Sequence, residues 1–258
     1  MVYFSVILPC EPIKPAKMLV KTNAIVLNSL KYGESQIIVD MFTELHGRVS
    51  FMQRIPRTSR SGVKKQLFQP LTILAIEFDY RPSLKLQRIK EATVACPFVS
   101  IPFDAFKLPI AMFVAEFTGY CTRSEQANPP LYLFVENSVR WLDACVSGFA
   151  NFHIIYMLHL SRFVGFYPNL DSGLGKAWFD MRSGCFTGSM PAHADVLQPE
   201  EADKIRLLMR LNYTTMRLLS LSRSERNRIV EVVLQYYRLH QPGFPEMKSL
   251  PVLTQLFS

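Results

Sequence analysis

The sequence predicts an α+β protein in which a small antiparallel β-barrel precedes a bundle of α-helices. Short apolar and β-branched runs, separated by turn residues, fill residues 20–95, and apolar residues recur at helical spacing after Pro97. The 258 residues are enough for two domains of ordinary size, each with its own core. We therefore expect a barrel at 18–97 and a helical domain at 98–258, preceded by a disordered leader at 1–17.

Five strands are predicted for the barrel. The runs that predict them lie at 24–27, 37–42, 49–51, 74–80 and 84–94. Turn residues stand between them, among them Gly33, Gly47 and the pair Arg81-Pro82. Because the connections leave little room for crossover helices, neighbouring strands should run antiparallel and close into a barrel.

Three helices are predicted between residues 100 and 165. In the first, apolar residues from Phe106 to Phe117 fall on one helical face, and Pro109 stands in an early turn, where proline is tolerated. The second begins near Pro130. The third covers 152–164 and is apolar almost all round, which predicts a position at the centre of the bundle.

Glycine and serine are frequent at 165–195, which predicts an irregular insertion with room for a short hairpin. Helical signals resume at Pro199, which is followed by two glutamates in the first turn. Ser222 and Glu225 have the spacing of a capping box and open a last long helix, which Pro242-Gly243 ends.

Positive charge is concentrated in the predicted barrel. Residues 18–98 contain 12 Lys and Arg against 6 Asp and Glu, a net charge of +6 out of +8 for the whole chain, whereas residues 99–258 contain 15 against 14. A basic excess confined to one third of a chain indicates a polyanionic partner, and nucleic acid is the commonest one. The alternative is a basic surface that serves only solubility.

The segment from Arg54 to Lys65 carries the strongest chemical signal. It contains five basic residues and no acidic residue, together with hydroxyl side chains, in a predicted connection between strands. Arginine and lysine neutralise phosphates, and serine and threonine donate hydrogen bonds to them without reading sequence. The predicted nucleic-acid-binding residues are Arg54, Arg57, Arg60, Lys64 and Lys65, extended along the barrel by Lys31, Lys85 and Arg88. The alternative is a solvated loop whose charges only oppose aggregation.

Three aromatic residues, Phe51, Phe68 and Tyr80, lie near this segment in the sequence. Aromatic rings can stack on the bases of a single strand. Their positions in the predicted strands favour filling the barrel over stacking on bases.

A second basic series lies in the C-terminal half. Arg206 and Arg210 are four residues apart and share a helix face beside Leu207 and Leu211. Together with Arg217 they predict a positive rim on an apolar groove, which suits a short acidic peptide that ends in apolar residues. The alternative is an ordinary amphipathic helix with solvated arginines.

The sequence contains none of the common motifs of catalysis. Phosphate-cradling glycine loops, nucleophile elbows and zinc-protease helices are absent, and the five histidines do not pair at ligand spacing beside a carboxylate. Glu77 and Asp79 are the only acidic residues of the barrel that lie close together, which is too little for a two-metal nuclease. We therefore expect a protein that is not an enzyme and needs no cofactor.

Five short segments form an ordered series along the chain: 21–27 (KTNAIVL), 31–35 (KYGES), 42–47 (FTELHG), 67–71 (LFQPL) and 248–253 (KSLPVL). The series resembles the RecO family of recombination mediators. The resemblance covers nearly the whole chain from Lys21 onward and is strongest in the predicted barrel.

The resemblance implies an OB fold for the barrel and an α-helical second domain. It also implies binding of single- and double-stranded DNA, annealing of complementary strands, and a role in DNA repair and recombination. The partners that it implies are RecR, the acidic C-terminal tail of the single-strand binding protein and, indirectly, RecA. By position, the basic segment 54–65 corresponds to the DNA-binding region of the family.

One departure from the family concerns zinc. Many members carry a four-cysteine module in the insertion, after a segment of P-x-L type. Here Pro168-Asn169-Leu170 is followed by Gly173 and Lys176 where cysteines are expected, and only Cys185 is nearby. A closed tetrahedral site needs four ligands, so we expect no bound metal.

Residues 1–17 begin with an apolar run, but Pro9 interrupts it, and it lacks the basic start and the cleavage pattern of an export signal. We expect a disordered leader, with Met18 as the alternative start. Further along, no stretch reaches the roughly 18 apolar residues of a membrane span. The five cysteines stand singly, as in a reduced intracellular protein. These features predict a cytoplasmic protein without membrane contact, and the DNA binding that the resemblance implies would place it at the nucleoid.

Overall fold

The computed structural model of the chain describes residues 18–54, 65–123, 126–171 and 177–256, so the predicted leader at 1–17 lies outside the described residues. The strands are β1 (Met18–Tyr32), β2 (Gln36–Thr43), β3 (Gly47–Arg54), β4 (Ile73–Tyr80), β5 (Ile89–Cys96), β6 (Trp178–Asp180), β7 (Cys185–Thr187) and β8 (Val196–Leu197). The α-helices are α1 (Lys107–Cys121), α2 (Pro129–Ala144), α3 (Phe152–Leu160), α4 (Pro199–Arg210), α5 (Arg223–His240) and α6 (Leu250–Leu253). Two 3-10 helices lie at Lys65–Phe68 and Met216–Leu218.

The first five strands form one antiparallel sheet in the order β3-β2-β1-β4-β5. β1 is long enough to pair with β2 and with β4, and a register shift between Val26 and Asn28 bends it. The edges of the sheet meet, because the amide of Met52 donates to the carbonyl of Gln87 and the amide of Gln87 donates to the carbonyl of Ser50, both at 2.9 Å. The predicted OB-like barrel and the α+β class are confirmed.

Alternation along the strands gives the barrel two faces. The inner face is a separate apolar core, to which Val26, Val39, Phe51 and Phe78 contribute. On the outer face, Ile25, Leu27, Phe42 and Ile73 instead join the core of the helical half. Part of the barrel wall is therefore buried against the helices.

The chain between barrel and helices is held by polar contacts as well. The buried ammonium of Lys107 donates to Ser100 Oγ at 2.6 Å and to the carbonyl of Asp143 at 3.1 Å. The carboxylate of Asp143 in turn accepts from the amides of Val99, Ser100 and Ile101, each at 2.9 Å. These bonds fix the segment before α1 against the end of α2.

The predicted central position of the third helix is confirmed, since eight of the nine residues of α3 are buried. The helix ends at Leu160 rather than at 164. After it the chain forms tighter turns, in which the amide of Phe163 donates to the carbonyl of Leu160, and Gly165 adopts a left-handed conformation with φ of +89°.

The insertion contains a small antiparallel sheet in the order β7-β6-β8, so the hairpin that the sequence allowed is present as β6 and β7. The capping box of α5 is also present, with Ser222 Oγ accepting from the amide of Glu225. In contrast, the predicted strand at 84–94 begins only at Ile89, because residues 81–88 form a loop.

Across the described residues, none of the helices combines the length and the apolar character needed to cross a bilayer.

Candidate nucleic-acid interface

The basic segment that the sequence singled out begins where β3 ends. Arg54 is the last residue of β3 and is exposed. Arg57, Arg60 and Lys64 lie outside the described residues, as does the side chain of Lys65, the first residue of the 3-10 helix before β4. The structure therefore describes only the start of this candidate site, which is the barrel surface around Arg54 at the end of β3.

The strand register places Arg54 at the same end of the barrel as the end of β1. Gln36 of β2 pairs with Tyr32 on one side and with Arg54 on the other. Directly paired residues of an antiparallel sheet point to the same side, so these three side chains share the outer face. Lys31 precedes Tyr32 in β1, and its side chain is exposed.

The other two predicted barrel cations lie in the loop between β4 and β5. The loop is held against β3 by the backbone bonds of Gln87 to Ser50 and Met52. Arg88 directly follows Gln87, Lys85 precedes it by two residues, and both side chains are exposed. The loop thus places these cations near the residues where it pairs with β3, the strand that ends in Arg54.

The cations of the barrel differ in whether a carboxylate compensates them. Three are held by carboxylates at 2.9 Å, in the pairs Lys21–Glu77, Lys90–Asp79 and Arg48–Asp40. The hydrogen bond that Lys21 donates to Glu77 raises the pKa of Lys21. Within the described ranges, no ion pair involves Lys31, Arg54, Lys85 or Arg88. Uncompensated positive charge is thus found at the end of β1, at the end of β3 and in the β4–β5 loop.

The aromatic residues near the basic segment are used mainly inside the barrel. Phe51 and Phe68 are buried in its core, as predicted, and the ring of Tyr80 stacks on His46 with centroids 4.4 Å apart. Tyr32, in contrast, is 53% exposed on the outer face, in the same row as Arg54 but separated from it by β2. Sequence reasoning placed Tyr32 only in the turn 31–35. Extending the alternating pattern of β1 to its last residue would have predicted an outward-facing Tyr32.

Arg81 is a further exposed cation that sequence reasoning missed. It opens the β4–β5 loop, and its backbone amide and carbonyl are both bonded to the side chain of Gln87. The pair Arg81-Pro82 predicted a turn, and the positive charge of Arg81 in an exposed turn is the signal that would have identified it as a candidate DNA-binding residue.

The second predicted site is divided between two elements. Arg206 and Arg210 lie on α4, whereas Arg217 lies in the 3-10 helix that follows. The guanidinium of Arg206 covers the ring of Phe186, 4.0 Å from its centroid. Arg210 and Arg217 are exposed, and so are the nearby apolar side chains of Leu207 and Leu218.

An apolar groove runs between α4 and α5 in the same half, with Ile205, Ile229 and Val232 among its lining residues. The ion pairs Lys204–Glu225 and Arg228–Glu201, each 2.7 Å long, join the two helices. The cations of this groove are therefore compensated, unlike Arg210 and Arg217, which form no ion pair within the described residues.

A cavity of about 490 Å³ lies where the barrel meets the helical half. Its polar lining is largely engaged. Arg48 bonds to Asp40 and to the carbonyl of Gly119, and Glu116 accepts from the amides of Lys248 and Ser249. These bonds join the barrel to α1 and α1 to the C-terminal segment.

Metal ligands are not clustered in the part of the chain that the structure describes. No group of three or more His, Cys, Asp or Glu residues within this part is arranged to hold a metal ion. Glu77 and Asp79 each hold a lysine. Burial lowers the pKa of His153 to about 3, so this residue is a neutral core histidine above that pH.

The two halves of the chain each match a family model. Residues 18–98 match the model described as Recombination protein O N terminal, and residues 102–250 match the model described as Recombination protein O C terminal. The chain belongs to the RecO family.

Full-length relatives agree with this assignment. The chain is 48% identical over 241 residues to the DNA repair protein RecO of Phocaeicola vulgatus, an alignment that covers 93% of this chain and 100% of that relative. It is 35% identical over 243 residues to the protein of the same name from Flavobacterium psychrophilum, and 33% identical over 246 residues to that from Porphyromonas gingivalis, with the same coverage. The RecO resemblance predicted from the sequence is confirmed.

Proposed function

We propose that this RecO-family chain is a DNA-repair and recombination mediator that binds single- and double-stranded DNA and anneals complementary strands. Together with RecR it would help to load RecA onto DNA coated by the single-strand binding protein, in the cytoplasm at the nucleoid. Residues 18–97 form the DNA-binding domain of this proposal, and residues 98–258 form the partner-binding domain. It acts by binding, without a catalytic residue, metal or cofactor.

The observation that carries the proposal is the uncompensated charge at the end of β1, at the end of β3 and in the β4–β5 loop. Lys31, Arg54, Lys85 and Arg88 are exposed and form no ion pair within the described residues. The connection that starts at Arg54 adds Arg57, Arg60, Lys64 and Lys65 without an acidic residue. Such a surface fits phosphates, since binding them releases the counterions of the nucleic acid.

Annealing follows from the same charges. Two strands repel each other through their phosphates, and this repulsion rises as they approach. A protein that neutralises phosphates on both strands lowers the repulsion without making or breaking a covalent bond. The bases of the two strands then pair with each other without any catalytic step by the protein.

Titration of labelled single-stranded DNA at several salt concentrations tests the proposal. Replacing Arg54, Arg57, Arg60, Lys64 and Lys65 by Ala should weaken binding for all sequences alike and lower the slope of log affinity against log salt by roughly 0.7 for each lost phosphate contact. The matched control replaces Lys21 and Lys90 by Ala, because both are already held by carboxylates. Binding that is absent or independent of salt in the unmodified protein contradicts the proposal.

The tail of the single-strand binding protein is proposed to bind the helical domain at Arg206, Arg210 and Arg217. The exposed side chains of Leu207 and Leu218 provide apolar contacts beside these cations, as an acidic peptide with an apolar end requires. A labelled tail peptide should bind the unmodified protein, and Arg210→Glu should weaken it. Arg140→Glu is a control of equal charge change on α2, where Arg140 is paired with Glu136.

The alternative function is a scaffold that binds acidic protein tails but not DNA. The exposed cations of the barrel would then meet carboxylates rather than phosphates. Capture of a protein partner that survives nuclease treatment, together with the absence of a DNA shift, would favour this alternative. A strand-annealing assay with and without the single-strand binding protein separates the two functions in one experiment.

A further inference from the structure

Two rows of outward-facing side chains cross β1, β2 and β3 at the end where the basic segment leaves the barrel. In the first row Leu30 pairs with Ile38, and Ile38 with Met52; in the second, Tyr32 pairs with Gln36, and Gln36 with Arg54. We refer to these six residues as the outer rows. They face away from the barrel core, because the alternating residues Ile37, Val39 and Phe51 are buried inside it.

The outer rows are uncovered, unlike the rest of the same face. Further along the strands, Ile25 and Phe42 are completely buried by the helical half. In the outer rows, Leu30 is 60% exposed and Tyr32 is 53% exposed. An aromatic ring and a large aliphatic side chain are thus held side by side on a rigid sheet and open to solvent.

We propose that the outer rows bind the unpaired bases of a single strand, with Tyr32 stacking on a base and Leu30 packing beside it. This inference rests on the proposed DNA binding and names the part of the site that recognises single strands. Every base has a π face, so stacking on an aromatic ring is tolerant of sequence. In a duplex the base faces are stacked on each other and are not available to the ring of Tyr32.

Charge identifies the occupant as nucleic acid. Arg54 lies in the same row as Tyr32, two strands away, whereas Lys31 pairs with the inward-facing Ile37 and so lies at the same end of β1 on its opposite face. The carboxylate of Asp40, one row further towards the helices, is occupied by Arg48 and Ser50. Glu34 in the β1–β2 turn also has an interaction partner. Apolar side chains with the open cation of Arg54 in the same row, and that of Lys31 at the same end of the sheet, fit a chain that alternates flat bases with phosphates.

The test compares binding of a labelled oligothymidylate and of a duplex of equal length at one salt concentration. Tyr32→Ala should weaken single-strand binding roughly 5- to 150-fold, the range for loss of one base–aromatic stack, and leave duplex binding and the salt slope unchanged. Tyr32→Phe keeps the ring and should bind like the unmodified protein. Phe103→Ala removes another ring, 83% exposed outside the barrel strands, and should change neither affinity.

Quenching of a 2-aminopurine placed in the strand gives a second readout, because it reports stacking rather than affinity; Tyr32→Ala should abolish it. Tyr32→Thr, whose β-branched side chain suits a strand, replaces Tyr32→Ala if urea unfolding shows that alanine destabilises the barrel.

Two outcomes for Tyr32→Ala would overturn the inference: an equal loss of affinity for single strand and duplex, or a loss of RecR binding with single-strand binding intact. If the charge variants lose DNA while Tyr32→Ala retains single-strand affinity, stacking fails and the proposed function stands. If unmodified protein binds no DNA, both fail.

Discussion

The side-chain amide of Gln87 makes a reciprocal pair of hydrogen bonds with the backbone of Arg81: its oxygen accepts from the amide of Arg81 at 3.0 Å, and its nitrogen donates to the carbonyl of Arg81 at 2.9 Å. The same nitrogen donates to the carbonyl of Leu84 at 2.7 Å. Because the backbone of Gln87 also joins β3, one buried residue shapes the β4–β5 loop and closes the barrel. The loop cations Lys85 and Arg88 owe their placement to it.

Gln87→Leu should therefore lower both stability and DNA affinity. It removes three hydrogen bonds to backbone groups, each worth about 1 kcal/mol, so we expect the free energy of unfolding to fall by about 2–3 kcal/mol. Single-strand affinity should fall with it, since the loop cations lose their fixed positions. Urea unfolding and DNA titration measure the two effects.

The matched control for this change is Gln69→Leu, because the side chain of Gln69 is exposed in the same half of the chain. It should leave the free energy of unfolding within about 0.5 kcal/mol of the unmodified protein. If Gln87→Leu binds DNA normally despite its lower stability, then the loop does not need to be ordered for binding.

Lys107→Met should destabilise the helical half. The ammonium group of Lys107 is buried, with bonds to Ser100 Oγ and to the carbonyls of Asp143 and Cys145. Methionine fills a similar volume but cannot donate; the carbonyl of Asp143 keeps its bond from Ser100 Oγ, whereas the bonds from Lys107 are lost, at a cost of about 3 kcal/mol. The loss of helical circular dichroism in urea measures the change. Lys248→Met, at an exposed lysine, is the control and should have little effect.

The elements that could be predicted from the sequence are those in which apolar side chains recur at regular spacing. Alternating runs predicted the strands of the barrel, and the uniformly apolar run at 152–164 predicted the central helix. The residues that position the candidate site do not belong to any such periodic pattern. Gln87 is a single polar residue whose burial depends on a backbone nearly forty positions earlier, around Ser50. Tyr32 is left exposed because the helical half stops short of it, which depends on tertiary packing.

Ser222→Ala should weaken the start of α5. Ser222 Oγ accepts from the amide of Glu225, and the carboxylate of Glu225 accepts from the amide of Ser222 at 3.0 Å. Loss of an N-cap of this kind costs about 1 kcal/mol. Ser220→Ala, two residues before the cap at an exposed position, tests whether a serine-to-alanine change alone has any effect. Equal unfolding curves for the two variants would exclude a contribution of the cap.

The last prediction concerns acid. His153 is completely buried in the helical core, and burial, with a smaller contribution from the charge of Arg226, lowers its pKa from 6.5 to about 3. The unfolded chain therefore takes up a proton at a pH where the folded chain does not. Stability linked to His153 should be fully present above about pH 6.5 and be lost progressively as the pH falls towards 3.

Between about pH 7 and pH 5 this linkage amounts to about 2 kcal/mol of unfolding free energy. Partial burial also lowers the pKa of His46 and His159, so these residues act in the same direction. His153→Gln removes one titrating group while keeping a polar side chain. Its unfolding free energy should be lower at pH 7 but should fall less steeply towards pH 5 than that of the unmodified protein. Parallel curves for the two proteins would mean that His153 is solvated or already charged in the folded state.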